Sequence, residues 1–346
     1  MGGRLQRPEK GRLLPAANLD APARPEAYLN SVADSNSFER IFKGKTAATF
    51  PYDLSKIAPL NPPAYEAVNI SPFGNNLLTD LALTALANTD LGRDDVPDLL
   101  AISYSSPDPV GHTFGPLSKE ENDLYLRLDL EIARLLQALD KTVGKGNYTI
   151  FLTADHGASE VPKYLAQHQA PAGAQNHATL NKGAADFLTQ QLGPGQWLET
   201  ERNNMYYLNR PLIASRKLEL TRVQNLLADY LREQPGIAQV NTTAQLLTSS
   251  TGAFLETKLQ NGLYYQRFGD VRFELSPGWT WELGVGATHG SGYLYDSHVP
   301  LLWFGAGITP GVSYEYHSIT DIAPRPPCWW KASCPAPAPG SPLWKC

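Results

Sequence analysis

The chain has 346 residues, 42% of them hydrophobic, and a formal net charge of −5. That length and apolar share suffice for a sizeable core of one or two domains. The acidic balance, without a basic stripe, argues against nucleic acid as a partner, and no apolar run nears the ~18 residues of a membrane span.

In chain order, residues 1–34 are rich in Ala, Pro and Arg and carry no clear periodicity. Met1–Pro8 has charge but no apolar stretch of the kind a secretory leader requires, so the chain as it stands reads as cytoplasmic. Leu99–Tyr104 is a short apolar run predicted as a buried strand, ending at a loop that carries Asp108 and His112. Ser118-x-x-Glu121 forms a capping box. It opens a helix in which Leu124, Leu128, Ile132, Leu135 and Leu139 recur at helical spacing. Gly144-Lys145-Gly146-Asn147 turns the chain back into a second strand, Tyr148–Leu152, which leads directly to Asp155 and His156.

Together these segments predict a βαβ unit whose two polar loops follow the C-terminal ends of strands, the edge at which open α/β sheets bind ligands. Leu218–Arg232 reads as an amphipathic helix and Val271–Leu275 as a strand, within an α+β region (158–280) inserted beside the main sheet. Pro300–Phe304 is a further candidate for a buried strand. The expected class is α/β, a mostly parallel sheet flanked by helices.

Five residues stand out as chemistry: Asp108, His112, Asp155, His156 and His289. Carboxylates and imidazoles are the ligands that borderline divalent metals such as zinc prefer, and five exceed what one tetrahedral site uses. A pair of metals is the natural reading. Singly, each residue reads more simply as a turn former or cap. His168, His177, His298 and His317 lack a ligand motif and fit surface or supporting roles, His298 as a support for the His289 loop. Lys163, Arg210 and Arg267 could approach a phosphate, but a solvated role suits each better.

The motifs around the five are Ser105-Ser106-Pro107-Asp108-Pro109-Val110-Gly111-His112, Thr153-Ala154-Asp155-His156-Gly157 and Thr288-His289-Gly290-Ser291-Gly292. In this order they resemble the alkaline phosphatase superfamily, most of all its bacterial phosphate-irrepressible alkaline phosphatases and next its nucleotide pyrophosphatase/phosphodiesterases. The resemblance runs from about Ser35 to Ala323. It implies that Asp108, His112 and His289 are the complete ligand set of one zinc, and that Asp155 and His156 are two of three ligands of a second. It also implies a phosphate ester as substrate and a periplasmic or secreted setting. The family's nucleophile, a third ligand to the second zinc and a phosphate-gripping Lys/Arg pair belong upstream of the matching motifs, so the chain resembles the C-terminal part of such an enzyme. Ala48-Thr49-Phe50-Pro51 superficially matches the nucleophile motif of the pyrophosphatases, making Thr49 a minor candidate nucleophile.

Residues 35–323 are thus expected to form the C-terminal part of a catalytic domain. In the family, Thr320-Asp321-Ile322-Ala323-Pro324 would run on into an apolar helix. Here residues 324–346 form an irregular tail holding Cys328, Cys334 and Cys346, in neither a disulfide framework nor a zinc-ribbon pattern, and read as a frameshift product. The expected function is a zinc-dependent phosphoric monoester hydrolase, inactive by itself without the nucleophile. The alternatives are a phosphodiesterase of the same superfamily and a non-catalytic metal-binding pseudoenzyme.

Overall fold

The structure, a computed structural model, describes residues 18–19, 25–63, 65–249, 252–264, 266–281 and 285–322. The sequence-derived tail and its three cysteines lie outside these residues. The chain divides into two units: Met1–Asn75 with Ser105–Leu128 and Ala154–Val299, and Asn76–Tyr104 with Asp129–Thr153 and Pro300–Cys346.

The first unit is built on two main cores. In one, the helices His177–Leu192 and Leu220–Arg232 lay Leu180, Ala184, Leu188, Val223, Leu227 and Leu231 against Tyr206, Leu208, Val271 and Phe273 of an antiparallel sheet. The sheet order is Leu198–Arg202, Met205–Leu208, Val271–Leu275, Ile237–Thr242. The expected amphipathic helix and the 271–275 strand are both present. In the other core, Phe42, Tyr52, Leu54 and Ile57 pack on Val110, Phe114 and Leu124. A smaller cluster of Phe38, Val161 and Ala287 joins three loops. Around it Gly286 N–H donates to the Phe38 carbonyl at 2.8 Å, and Ala287 N–H to the Gly111 carbonyl at 3.2 Å.

Lys119–Leu139 is the long helix that the periodicity predicts. Ser118 caps it, its Oγ accepting from Glu121 N–H at 3.1 Å. The capping box is half made, because Ser118 N–H donates to the Gly115 carbonyl instead.

In the second unit Ala82, Leu86 and Leu135 form a core with Leu83, Leu91, Ile102 and Leu139 around it. Thr149–Thr153 pairs antiparallel with Leu301–Gly305, Trp303 opposite Phe151.

The α/β class expected from the sequence holds, and four details differ. Segment 99–104 is in no strand among the described residues, and Leu99 is 67% exposed. A β-ladder needs a partner for its amides and carbonyls, and an apolar run cannot supply one by itself. The βαβ unit therefore does not form as predicted, and both pairing senses occur: among the described residues only Gly173–Gln175 with Trp279–Trp281 pairs in parallel. Leu301–Gly305 is a strand, but Leu302 and Phe304 are exposed rather than buried. Finally, Asp108 and His112 sit on a helix, Pro107–Phe114, not a loop. Both of its prolines fall in the first turn, where the missing N–H groups would have no helical acceptor.

Candidate metal centre

The Pro107–Phe114 helix sets Asp108 and His112 one turn apart on one face. Asp108 Oδ1 lies 3.2 Å from His112 Nε2 and 3.1 Å from His289 Nε2. Asp108, His112 and His289 can each offer one ligand atom within 4.8 Å of the other two. His156 Nε2 stands 3.8 Å from the same Asp108 oxygen. Its ring is stacked on His289, centroids 3.5 Å apart and planes 11° from parallel.

The imidazoles are oriented from behind. His112 Nδ1 is 2.8 Å from the Ala287 carbonyl and His156 Nδ1 is 2.8 Å from the Gly157 carbonyl. A carbonyl can only accept, so each Nδ1 carries a proton and Nε2 is the ring nitrogen turned to the cluster. Burial and the neighbouring His156 hold the His289 pKa below its usual range, although Asp108 pulls it the other way. A neutral imidazole is the form that binds metal.

Asp155 is placed differently. Its side chain is 91% exposed, and His156 is its one ion-pair neighbour among the described residues, at 3.8 Å. Thr49 directly precedes the Phe50–Pro51 bond, its carbonyl accepting from Lys45 Nζ at 2.7 Å. Among the described residues no hydrogen bond joins it to the cluster. Arg210 is engaged with buried Asp270 at 2.9 Å and Arg267 lies over the Tyr264 ring. His298 is exposed, and among the described residues no side-chain hydrogen bond joins it to the His289 loop.

That support comes from residues that sequence reasoning missed. Buried Asp296 accepts from Ser291 N–H at 2.7 Å and Ser291 Oγ at 2.6 Å through Oδ2. Its carbonyl takes Gly157 N–H at 2.7 Å, tying the His156 loop to the His289 loop. Ser159 Oγ bonds the Thr288 carbonyl at 2.9 Å. Two glycines make these approaches possible. A Cβ on Gly157 would come within 2.1 Å of the Tyr295 carbonyl oxygen. Gly286 has φ +82°, and a Cβ there would meet the His112 carbonyl at 1.8 Å. Glu121 is buried close enough to Asp108 to feel its charge; burial first, and Asp108 second, push its pKa well up. No local signal marks Gly286, because its partners lie in other segments; Asp296 bonds Ser291 within its own loop and Gly157 in another.

The donor set fits a divalent metal: one carboxylate and two imidazoles, with outer hydrogen bonds that fix the rings. A family model described as type I phosphodiesterase / nucleotide pyrophosphatase matches residues 12–292, and the chain belongs to that family, within the alkaline phosphatase superfamily. It is 35% identical over 322 residues to alkaline phosphatase PafA of Elizabethkingia meningoseptica, covering 91% of this chain and 58% of PafA. It is 37% identical over 303 residues to a Myroides odoratus protein named calcium-transporting ATPase, covering 86% of this chain and 55% of that protein. Alkaline phosphatase PhoV of Synechococcus elongatus is 35% identical over 301 residues, covering 86% of this chain and 53% of PhoV. The crystal structure of wild-type PafA superposes with a TM-score of 0.82 at 34% identity, over 89% of this chain and 59% of PafA. The chain thus spans little more than half the length of the relatives it matches. No described helix is long and apolar enough to cross a membrane.

Proposed function

We propose that the chain carries the leaving-group zinc site of a phosphoric monoester hydrolase. The observation that carries this reading is the convergence of Asp108, His112 and His289 on one point, in a family whose similar members include alkaline phosphatases. Asp108, His112 and His289 would hold the metal. A divalent ion held there supplies a Lewis acid for a phosphoryl or leaving-group oxygen. The Ala287 carbonyl keeps His112 Nε2 turned inward, and Asp296 and Ser159 hold the loops on which His156 and His289 stand. His156 is poised beside the first site, and together with Asp155 it makes the partial ligand set of a second zinc. The substrate is a phosphate ester, and the setting is the periplasm or the cell exterior, as the family resemblance implies.

Among the described residues only one group of three ligands forms. On this reading a second zinc, with only Asp155 and His156 to hold it among the described residues, binds less tightly than the first. The isolated chain should turn over p-nitrophenyl phosphate negligibly, yet bind inorganic phosphate when zinc-loaded. Calorimetric titration checks this: phosphate should bind the zinc-loaded chain, and at least about tenfold more weakly His289→Ala. Metal-independent phosphate binding would count against the reading. Turnover of bis(p-nitrophenyl) phosphate in preference to the monoester would favour a phosphodiesterase, and a zinc-loaded chain blind to phosphate would favour a non-catalytic metal-binding protein.

A further inference from the structure

The loop that carries His289 is tied to the His156 loop through Gly157 and Ser159. It is also held from the inserted α+β region, by the helix Phe254–Asn261. Leu255 fills the space that a side chain on Gly292 would need: a Cβ there would come within 2.0 Å of Leu255 Cδ1. Three residues on, along the same face of the helix, Lys258 Nζ donates to the Gly292 carbonyl at 3.3 Å and to Ser297 Oγ. Ser297 Oγ in turn donates to the Tyr293 carbonyl at 2.8 Å. The Lys258 ammonium also lies 4.1 Å from the centroid of the Phe254 ring, a favourable place for a cation.

The helix is itself anchored. Glu256 Oε1 accepts from Gln239 Nε2 at 3.2 Å and from Asn241 Nδ2 at 3.4 Å, both on the strand Ile237–Thr242. Gln260 Nε2 donates to the Leu246 carbonyl at 2.9 Å and to the Ser249 carbonyl at 2.6 Å. A chain of contacts thus runs from the sheet of the inserted region to the His289 loop. Exposed lysines ordinarily give their charge to water or to a surface carboxylate, and such pairs contribute little. Lys258 differs in its surroundings and in its partners. It is half-buried, and among the described residues both acceptors of its ammonium belong to the loop 291–297 and no carboxylate lies within ion-pair distance.

We propose that Lys258 is a positioning residue for the metal centre. It clamps the loop 291–297 to the inserted region and so fixes His289, two residues before that loop, where it meets Asp108 and His112. The proposal rests on the metal-site reading, and it gives the inserted region a part in building the site.

Zinc affinity, measured by competition with a chromophoric chelator, tests it. Lys258→Met keeps the stem and removes the ammonium, and should weaken zinc binding about tenfold with circular dichroism unchanged. Lys258→Arg keeps a cationic donor and should stay within about threefold of wild type. In a His289→Ala background the loss caused by Lys258→Met should shrink to about twofold or less, because the clamp acts through that imidazole. Unchanged affinity in Lys258→Met would overturn the proposal, as would an arginine variant as weak as the methionine one or an equal loss in both backgrounds. Should Lys258→Met fail to fold, Ser297→Ala removes one acceptor of the ammonium and should lower affinity in the same direction; unchanged affinity there would reject the clamp. If the wild type binds no zinc, the metal reading fails, and hydrogen exchange of the metal-free chain decides the clamp separately. The amides of Ser291, Asp296 and Ser297 are hydrogen-bonded within the loop. Their exchange should be at least about fivefold faster in Lys258→Met, and unchanged exchange would reject the clamp.

Discussion

Asp296 accepts two hydrogen bonds from Ser291, two residues beyond His289, while its backbone receives Gly157, the residue after His156. One buried residue therefore braces both loops, its carboxylate that of His289 and its backbone carbonyl that of His156. Asp296→Asn keeps the volume and removes the charge that strengthens both Ser291 bonds. Zinc affinity should fall about tenfold with circular dichroism unchanged, the scale typical of lost outer-shell support. Unaltered affinity, measured by competition with a chromophoric chelator, would show that the His289 loop holds itself. The sequence already brings out Asp108 and His112, because a spacing of four is a local property that survives whether the segment is loop or helix. It does not reveal the bond from Gly157 to the Asp296 carbonyl or the Ala287 carbonyl that orients His112 across 175 residues, since neither contact has a local trace. Asp155 shows the converse: it sits in a strong motif, yet its side chain faces solvent.

At the scale of elements, the 36–54 segment docks on the first turn of the Lys119–Leu139 helix through buried carboxyls. Tyr52 Oη donates to Glu120 Oε1 at 2.5 Å, and Glu39 is buried near enough to feel the Glu120 charge. Burial pushes Glu120 up to about 7; burial, then Glu120, push Glu39 up to about 8. The sign follows from proton counts. Between the ordinary value of 4.5 and these raised values the folded chain binds more protons than the unfolded one. Stability conferred by these groups is thus fully present below about 4.5 and is lost as pH rises toward 8. The Tm should fall across that window, and Glu39→Gln should flatten the fall and raise the Tm at pH 8. A Tm that rises with pH there, in wild type and variant alike, would contradict the assignment. The helices themselves were legible, because Lys119–Leu139 and Leu220–Arg232 each show an apolar stripe at the 3.6-residue period. The 99–104 run was not, since a strand depends on a distant partner that its own residues cannot announce.

At the scale of the whole molecule, the chain spans little more than half the length of its relatives, and its surface bears on what that entails. Thr149–Thr153 and Leu301–Gly305 form a two-stranded sheet with Phe151 and Trp303 on one face and Leu302 and Phe304 on the other. Leu302 is 60% and Phe304 55% exposed, and no third strand joins this pair among the described residues. Strands that are apolar on both faces suit a fully covered sheet, and exposed apolar edges promote self-association. Sedimentation velocity should show concentration-dependent association, relieved by Leu302→Lys combined with Phe304→Lys. A monomeric wild type at high concentration would contradict this.

The metal centre is the claim on which the functional account stands, and zinc stoichiometry tests it most directly. After equilibration with zinc and removal of excess, elemental analysis should find about one tightly held ion per chain. His289→Ala should remove most of it, and Asp155→Ala should leave it nearly intact, because Asp108, His112 and His289 form the one complete group among the described residues. No bound zinc, or equal loss in both variants, would contradict the account.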